Sequence, residues 1–381
     1  MGAQAGPPPP PLYLGSTASA EVHTVVHFGN GKDEMHPRQL VYDAARNGLW
    51  FWTSTQNREV VTNAVDFYDI ARGTLQTWPI YSGDWSSQLL SGLALAPNGE
   101  VWIGWNHNLI DFHPNDGSSV RYALPARIVF SLPQQVIGDL PNDLGVSDIA
   151  VGRDGTVWIA RYGAVSLTAF SPQSHQFTEH QLPGETGDPA KLALGPDGHV
   201  FFTLNLSANH PGYAAEKIGE YAPETGATKV YAQPTLALAV TPQGDLYTAL
   251  SGVNFGLARA SATERANAAA AQRSPVFQRQ MAGVQIADTA LATDLYGRVW
   301  MAIARQPQIA VLDPASGSVR TFTYAAPSIA ANPPHTHLGV PTRPAAPDAV
   351  WIVPIVAMAT DSVGHLWYIR AGYQSIEEIS A

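Results

Sequence analysis

Two histidines stand one residue apart in the phrase Pro-Pro-His335-Thr-His337. In an extended segment residues i and i+2 point to the same side, so the two imidazoles could share a metal ion. No carboxylate close in sequence completes a ligand set, and an exposed Pro/His loop is the competing reading. His107 and His210 lie in other connections, among ligand-contacting types such as Trp85, Asn106, Tyr162, Asn209, Tyr213 and Arg305. Arg38, Arg161, Arg370 and Trp105 fall at related places in a repeat described below. Guanidinium groups beside an indole suit carboxylates, phosphates or sugar faces. The alternative is that these arginines pair with loop carboxylates and close a channel. The familiar phosphate-binding and nucleophile phrases are absent: there is no G-x-x-x-x-G-K-[ST], no G-x-G-x-x-G and no G-x-S-x-G. With no cysteine, the chain forms neither disulfides nor thiolate metal sites.

The elements that would position these residues repeat along the chain. The phrase "NGEVWIGW" (98–105) has relatives in "RNGLWFW" (46–52), "DGTVWIAR" (154–161), "DGHVFFTL" (197–204), "QGDLYTAL" (243–250), "YGRVWMAI" (296–303) and "VGHLWYIR" (363–370). Their glycines, Gly48, Gly99, Gly155, Gly198, Gly244, Gly297 and Gly364, recur about every 45–65 residues, a period that points to a propeller or solenoid. The Gly suits the φ > 0 position of a tight hairpin. Before it lies a small-residue strand such as "GLALA" (92–96). After the aromatic strand come a third strand, a turn such as "PNDG" (114–117), and a fourth strand such as "SVRYALP" (119–125). Four antiparallel strands per repeat and seven repeats predict an all-β, seven-bladed β-propeller. Asp-Gly at 154–155 and 197–198 reads as hairpin turn, not calcium loop.

The last repeat has only three strands of its own, so residues 21–28 are expected to pair with 374–380 and close the ring, removing an exposed edge. Residues 1–20, with five prolines at 7–11, read as a Pro-rich disordered arm, and 21–381 as one propeller domain. Long connections at 53–64, 79–91, 125–147, 204–217 and 325–355 are expected to gather on one face, where loops usually carry function. The Ala-rich stretch 260–275 is expected as a short helix on the opposite face or rim.

Charged residues make up only 14% of the chain, the formal net charge is −10, and the lysines are Lys32, Lys191, Lys217 and Lys229. This balance argues against nucleic-acid and anionic-membrane partners. No apolar run reaches the roughly 18–20 residues of a membrane span. The Pro-rich start fits an exported mature chain, so the location expected is extracytoplasmic, periplasmic or secreted; a cytosolic protein with a Pro-rich arm is the alternative.

The repeat A-x-x-x-x-G-x-[VL]-W-[IFM], with outer strands ending in Leu-Pro or Ala-Pro, resembles the streptogramin lyase (virginiamycin B lyase) group of seven-bladed propellers over nearly the whole chain after the arm. NHL and gluconolactonase-like propellers carry related repeats. The resemblance implies Mg²⁺-assisted elimination that opens a cyclic depsipeptide. It places a His base at the entry to an inner strand and a Glu three residues after the second-strand aromatic. The matching positions here are Arg38, Ser91, Ser147, Ala190, Leu236, Thr289 and Val356 for the His, and Thr53, Trp105, Arg161, Leu204, Leu250, Ile303 and Arg370 for the Glu. None is a His or a carboxylate; Asp148 and Asp288 lie beside the first set. The expected function is therefore binding of a small or oligomeric ligand, anionic or carbohydrate, at the channel mouth on the inserted-loop face. The candidate residues are Arg38, Trp105, His107, Arg161, His210 and Arg370. A lyase or lactonase with a rebuilt His-containing site and a protein-interaction scaffold stand as alternatives. No cofactor is predicted; a divalent metal, with His335 and His337 as ligands, stays open.

Overall fold

Each Gly–aromatic phrase closes a tight hairpin between a short inner strand and a second strand. The computed structural model describes residues 17–18, 22–27, 34–57, 60–83, 90–125, 145–161, 164–183, 187–205, 217–250, 256–272, 274–282, 286–304, 306–324, 355–370 and 375–380. They form seven antiparallel blades, and in blades 1 to 6 the four antiparallel strands run in sequence order from the axis outward. Blade 1 comprises Glu34–Asp43, Gly48–Asn57, Val60–Asp69 and Thr74–Gly83. The inner strands of blades 2 to 6 are Leu90–Leu95, Val146–Val151, Asp188–Leu194, Thr235–Val240 and Ile286–Thr293. Blade 7 comprises Ile355–Thr360, Leu366–Arg370, Ser375–Ile379 and, outermost, the N-terminal segment Val22–His27, whose Val22 lies opposite Ile379. Each inner strand packs on the next around the ring, and that of blade 7 packs on that of blade 1. Thr17–Ala18, inside the segment read as an arm, runs parallel to Thr321–Phe322 on the edge of blade 6. The other residues of 1–20 lie outside the described set.

The second-strand aromatic of every blade is buried against the following blade. Trp50 packs with Val101 and Ile103, Trp102 with Val157 and Ile159, Trp158 with Val200 and Phe202. Phe201 meets Leu238 and Leu246, Tyr247 meets Val299 and Met301, and Trp300 meets Leu366 and Tyr368. Trp367 completes the circuit against Leu40, Phe51 and Tyr68 of blade 1. The large flat rings fill the wedge between radially arranged sheets, where each buries some 150–250 Å².

Two hairpin designs hold these aromatics. In blades 1, 6 and 7 the residue that ends the inner strand, or follows it, is a buried Asp: Asp43, Asp294 or Asp361. Asp294 Oδ1 accepts from the backbone N–H groups of Tyr296 (3.0 Å) and Arg298 (2.9 Å), and Oδ2 accepts from Trp300 Nε1 (3.2 Å). Trp50 and Trp367 donate likewise to Asp43 and Asp361. Arg46 and Arg298, ion-paired to these aspartates, each donate onward to a turn carbonyl of the next blade, Gly99 O and Gly364 O. In blades 3 and 4 a glycine takes the Asp place and the Asp moves two residues on, into the turn. There Asp154 and Asp197 cap Thr156 N and His199 N. A Cβ at Gly195 would sit 2.2 Å from Asp197 Oδ1, so the folded-back carboxylate requires the glycine.

Three expectations change in detail. In blade 1 the left-handed turn residue is Asn47 (φ 49°). Gly48 already belongs to the second strand, where any Cβ would meet the Phe67 ring at 2.2 Å. Within the stretch 53–64 the described residues are strand: its Thr and Val residues extend the hairpin, with Asn57 opposite Val60. Likewise 79–83 continues the outer strand. The Ala-rich stretch does form a helix, Ala262–Ala270, N-capped by Ser261. Its Ala262 N donates to Asp245 and its Arg265 to Gly244 O, which places it beside the short inner hairpins. Among the described residues no helix is long and apolar enough to cross a membrane.

Because Asp294 satisfies two backbone N–H groups, an indole and a guanidinium at once, Asp294→Ala is expected to cost about 3 kcal/mol. Asp154→Ala, on an exposed turn, is expected to cost much less. The midpoints of urea unfolding for the two variants check this.

Candidate functional site: the axial channel and its two mouths

At the mouth on the side of the expected insertions, the end of the second strand in blades 2 to 7 faces the start of an inner strand. The pairs are Leu90–Trp105, Val146–Arg161, Pro189–Leu204, Thr235–Leu250, Ile286–Ile303 and Ile355–Arg370. Immediately afterwards the register slips in every one of these blades, and in blade 1 it slips after Arg38. Six of the seven positions that the family resemblance assigns to a catalytic His therefore lie in bulges, which re-aim side chains, and Arg38 stands just before one.

Arg161 is buried, at 1% exposure. Its Nη1 donates to Pro125 O at 3.1 Å and lies 3.6 Å from Glu179 Oε1 on the outer strand of the same blade. Glu179 also accepts from Ser166 (2.7 Å) and Thr168 (2.8 Å). Arg370 is hydrogen-bonded to the buried Glu377 of its own blade, with its guanidinium carbon 5.2 Å from the centre of the Tyr324 ring. Both guanidiniums thus engage strand carboxylates of their own blades, and the two blades are not neighbours. Trp105 is buried against Tyr81 (centroids 4.6 Å apart), with Arg121 at 4.5 Å from its ring. His107 is exposed in the turn that follows. The backbone of Arg38 pairs with Trp52; its side chain, the whole of His210, His335 and His337, and the side chain of Asp288 lie outside the described set.

The described residues of this ring do not fit the Mg²⁺ that the resemblance implies. Leu204, Leu250 and Ile303 are buried and apolar, Arg161 and Arg370 are cationic, and the Thr53 hydroxyl already donates to Asp66 (2.7 Å). Asp66 itself is enclosed, and burial raises its carboxyl to about 6 despite hydrogen bonds from Thr77 and Thr53. Asp148 is turned to the neighbouring blade. It accepts from Ile149 N and, at 3.0 Å, from Leu192 N, joining two inner strands. Burial raises its pKa against the opposing pull of Lys191.

The opposite mouth, among the short hairpins, opens into a cavity of about 1090 Å³. Six of the seven inner strands line it, with Leu40, Leu192, Leu238, Leu291 and Met358 on the wall and Asp154, Asp197 and Leu295 near the rim. Leu295 and Tyr296 are each 64% exposed and Val363 is 61% exposed, an apolar group on adjacent hairpins of blades 6 and 7. Loop length gave no signal for this face. The alternating aliphatic residues of the inner strands were the available one. Beside it, blades 4 and 5 are knit by Glu220, which binds Arg265 Nη1 (2.9 Å), His199 Nδ1 (2.7 Å) and the Tyr231 hydroxyl. Burial works against protonation of His199, but Glu220 and Asp197 outweigh it and raise its pKa.

No family model matches this chain, and a search of curated proteins finds no match. Among solved structures it is similar to a streptogramin B lyase, with 14% identity, coverage of 94% of this chain and 97% of that one, and a TM-score of 0.63. It is similar to virginiamycin B lyase from Staphylococcus aureus, with 13% identity, coverage of 95% and 99%, and a TM-score of 0.63. It is also similar to the Cps50 (Swd1) β-propeller domain of Myceliophteria thermophila, with 9% identity, coverage of 95% and 100%, and a TM-score of 0.60. At these identities the likeness speaks for the fold alone.

Arg370→Ala strands the buried Glu377 carboxylate and is expected to cost about 3–5 kcal/mol. Arg370→Met with Glu377→Leu is expected to restore most of it, as thermal denaturation of both variants would show. His199 gives a pH test. Its folded-state pKa lies above the ordinary 6.5, so its contribution is complete below that value and fades as pH rises through the folded pKa. The stability gap between wild type and His199→Gln, from urea unfolding at several pH values, is expected to be widest in acid and to close in alkali.

Proposed function

We propose that this protein is a ligand-binding propeller whose site is the axial channel, entered from the short-hairpin face. The observation that carries the reading is the cavity of about 1090 Å³ walled by aliphatic residues from six blades. Binding sites for small molecules are mostly apolar hollows of a few hundred to about a thousand Å³. Carboxylates at the rim and aliphatic walls favour a ligand with an apolar body. The anionic ligand suggested by Arg161 and Arg370 draws little support, because each is committed to a carboxylate of its own blade. A second reading has its own support: the exposed Leu295, Tyr296 and Val363 suit docking of a protein partner across the same face.

An apolar fluorescent dye of the anilinonaphthalene-sulfonate type serves as probe. One dye per chain is expected, with affinity reduced at least about tenfold in Leu291→Arg and Met358→Arg. Unchanged titrations in both variants would overturn the channel site. Loss of binding on Tyr296→Ser with Val363→Ser alone would move the reading to surface docking.

A further inference from the structure

We propose that Glu100, Asp111 and His113 form a binding site for a divalent first-row transition-metal ion on the flank of blade 2 facing blade 3. Asp111 and His113 occupy positions i and i+2 of the third strand Asn108–His113, so both project from one face. Glu100 precedes the second strand Val101–Trp105, and the pairing of Val101 with Phe112 sets it beside His113. One ligand atom from each of the three lies within 4.8 Å of the others. His113 Nδ1 is 3.7 Å from Glu100 Oε1, and Nε2 is 3.7 Å from Asp111 Oδ2. These gaps are too long for hydrogen bonds. The two gaps belong to opposite ring nitrogens, only one of which can face a shared ion, so the spacing that bears on an ion is that of one donor atom per residue, all within 4.8 Å of one another.

The other blades show what is unusual here. Where the corresponding two positions both carry ionisable side chains, they pair a carboxylate with a basic side chain. His199 meets Glu220 at 2.7 Å in blade 4, Asp245 meets Arg259 in blade 5, and His365 meets Glu378 at 2.9 Å in blade 7. Blade 2 opposes two carboxylates, an arrangement that costs free energy unless a cation lies between them. Burial, followed by the Glu100 charge, raises the Asp111 carboxyl to about 6.

Two buried polar atoms point to something that belongs beside the cluster. Asp111 is 7% exposed and its Oδ1 has no hydrogen-bond partner; Trp102 is fully buried and its Nε1 has none. In blades 1, 6 and 7 the matching indole donates to an inner-strand Asp. Blade 2 has Ala96 at that place. All four side chains line a cavity of about 570 Å³ between blades 2 and 3, closed on the far side by His175 and Arg153. The cavity has room for an ion and its waters beside Glu100 and His113. Two carboxylates with one imidazole suit Zn²⁺ or Mn²⁺ better than Ca²⁺ or Mg²⁺, which favour all-oxygen sets. The site is on the blade flank, away from the axial positions that the family resemblance assigns to a metal.

The test is calorimetric titration of Zn²⁺ into the full chain after chelator treatment. Binding of an ion is expected in the wild type, with affinity at least about tenfold weaker in Glu100→Gln and in His113→Ala. The double variant His335→Ala, His337→Ala is expected to bind as wild type does. Zn²⁺ should raise the melting temperature of the wild type and not that of Glu100→Gln, whose partly exposed side chain makes misfolding no explanation. The proposal is overturned if the wild type takes up no ion. It is also overturned if both blade 2 variants keep full affinity, or if only the His335/His337 double variant loses it.

Discussion

Both faces of every blade are covered by another blade, and this constraint governs the rest of the molecule. A sheet with one wet face can alternate polar and apolar residues; a sheet clasped on both sides cannot. The second strands accordingly read as unbroken buried runs, as in Val101–Trp105 and Val157–Arg161. Radial sheets diverge from the axis, so the gap between them widens outward and needs a bulky filler. Trp50, Trp102, Trp158, Phe201, Tyr247, Trp300 and Trp367 supply it, each handing its ring to the next blade. An indole in that wedge brings a polar N–H with it, and the inner-strand aspartates of blades 1, 6 and 7 answer that demand while fixing the hairpin.

This explains why so much of the fold was legible. A turn glycine and an aromatic three residues later are forced by local geometry and interblade packing, so the phrase around Gly99 and Trp102 marks a blade wherever it occurs. The number of blades, the small-residue inner strands and the pairing of 22–27 with the last repeat follow from counting those phrases. Details set by exchangeable turn chemistry were harder. Asn47 does in blade 1 what glycine does elsewhere, and threonines that look like loop residues at 53–55 extend a hairpin.

The site was far less legible, for a physical reason. Partners in a four-stranded blade are neighbours by register, not by sequence. Arg161 and Glu179 are separated by an entire strand, and the Arg370–Glu377 pair spans a hairpin. Glu100 looks like a turn residue and Asp111 like an ordinary strand residue until the pairing of Trp102 with Asp111 brings them together. The phrase Asp-Phe-His at 111–113 was the one visible hint. Loop length directed attention to one face of the disc, whereas the apolar hollow opens on the other.

Blade 1 departs from the pattern in one further respect. Each of its strands has ten residues, where the strands of the other blades have five to eight among those described. Residues 54–57 alone carry the second strand roughly 13 Å past the level at which its counterparts end. By their described strands alone, seven similar blades offer seven nearly equivalent bearings to anything that arrives along the axis. Choosing one bearing from seven takes only about 1.2 kcal/mol, less than a single good contact with a protruding hairpin supplies. Among the described strands, blade 1 is thus the compass mark by which one bearing of the disc differs from the other six.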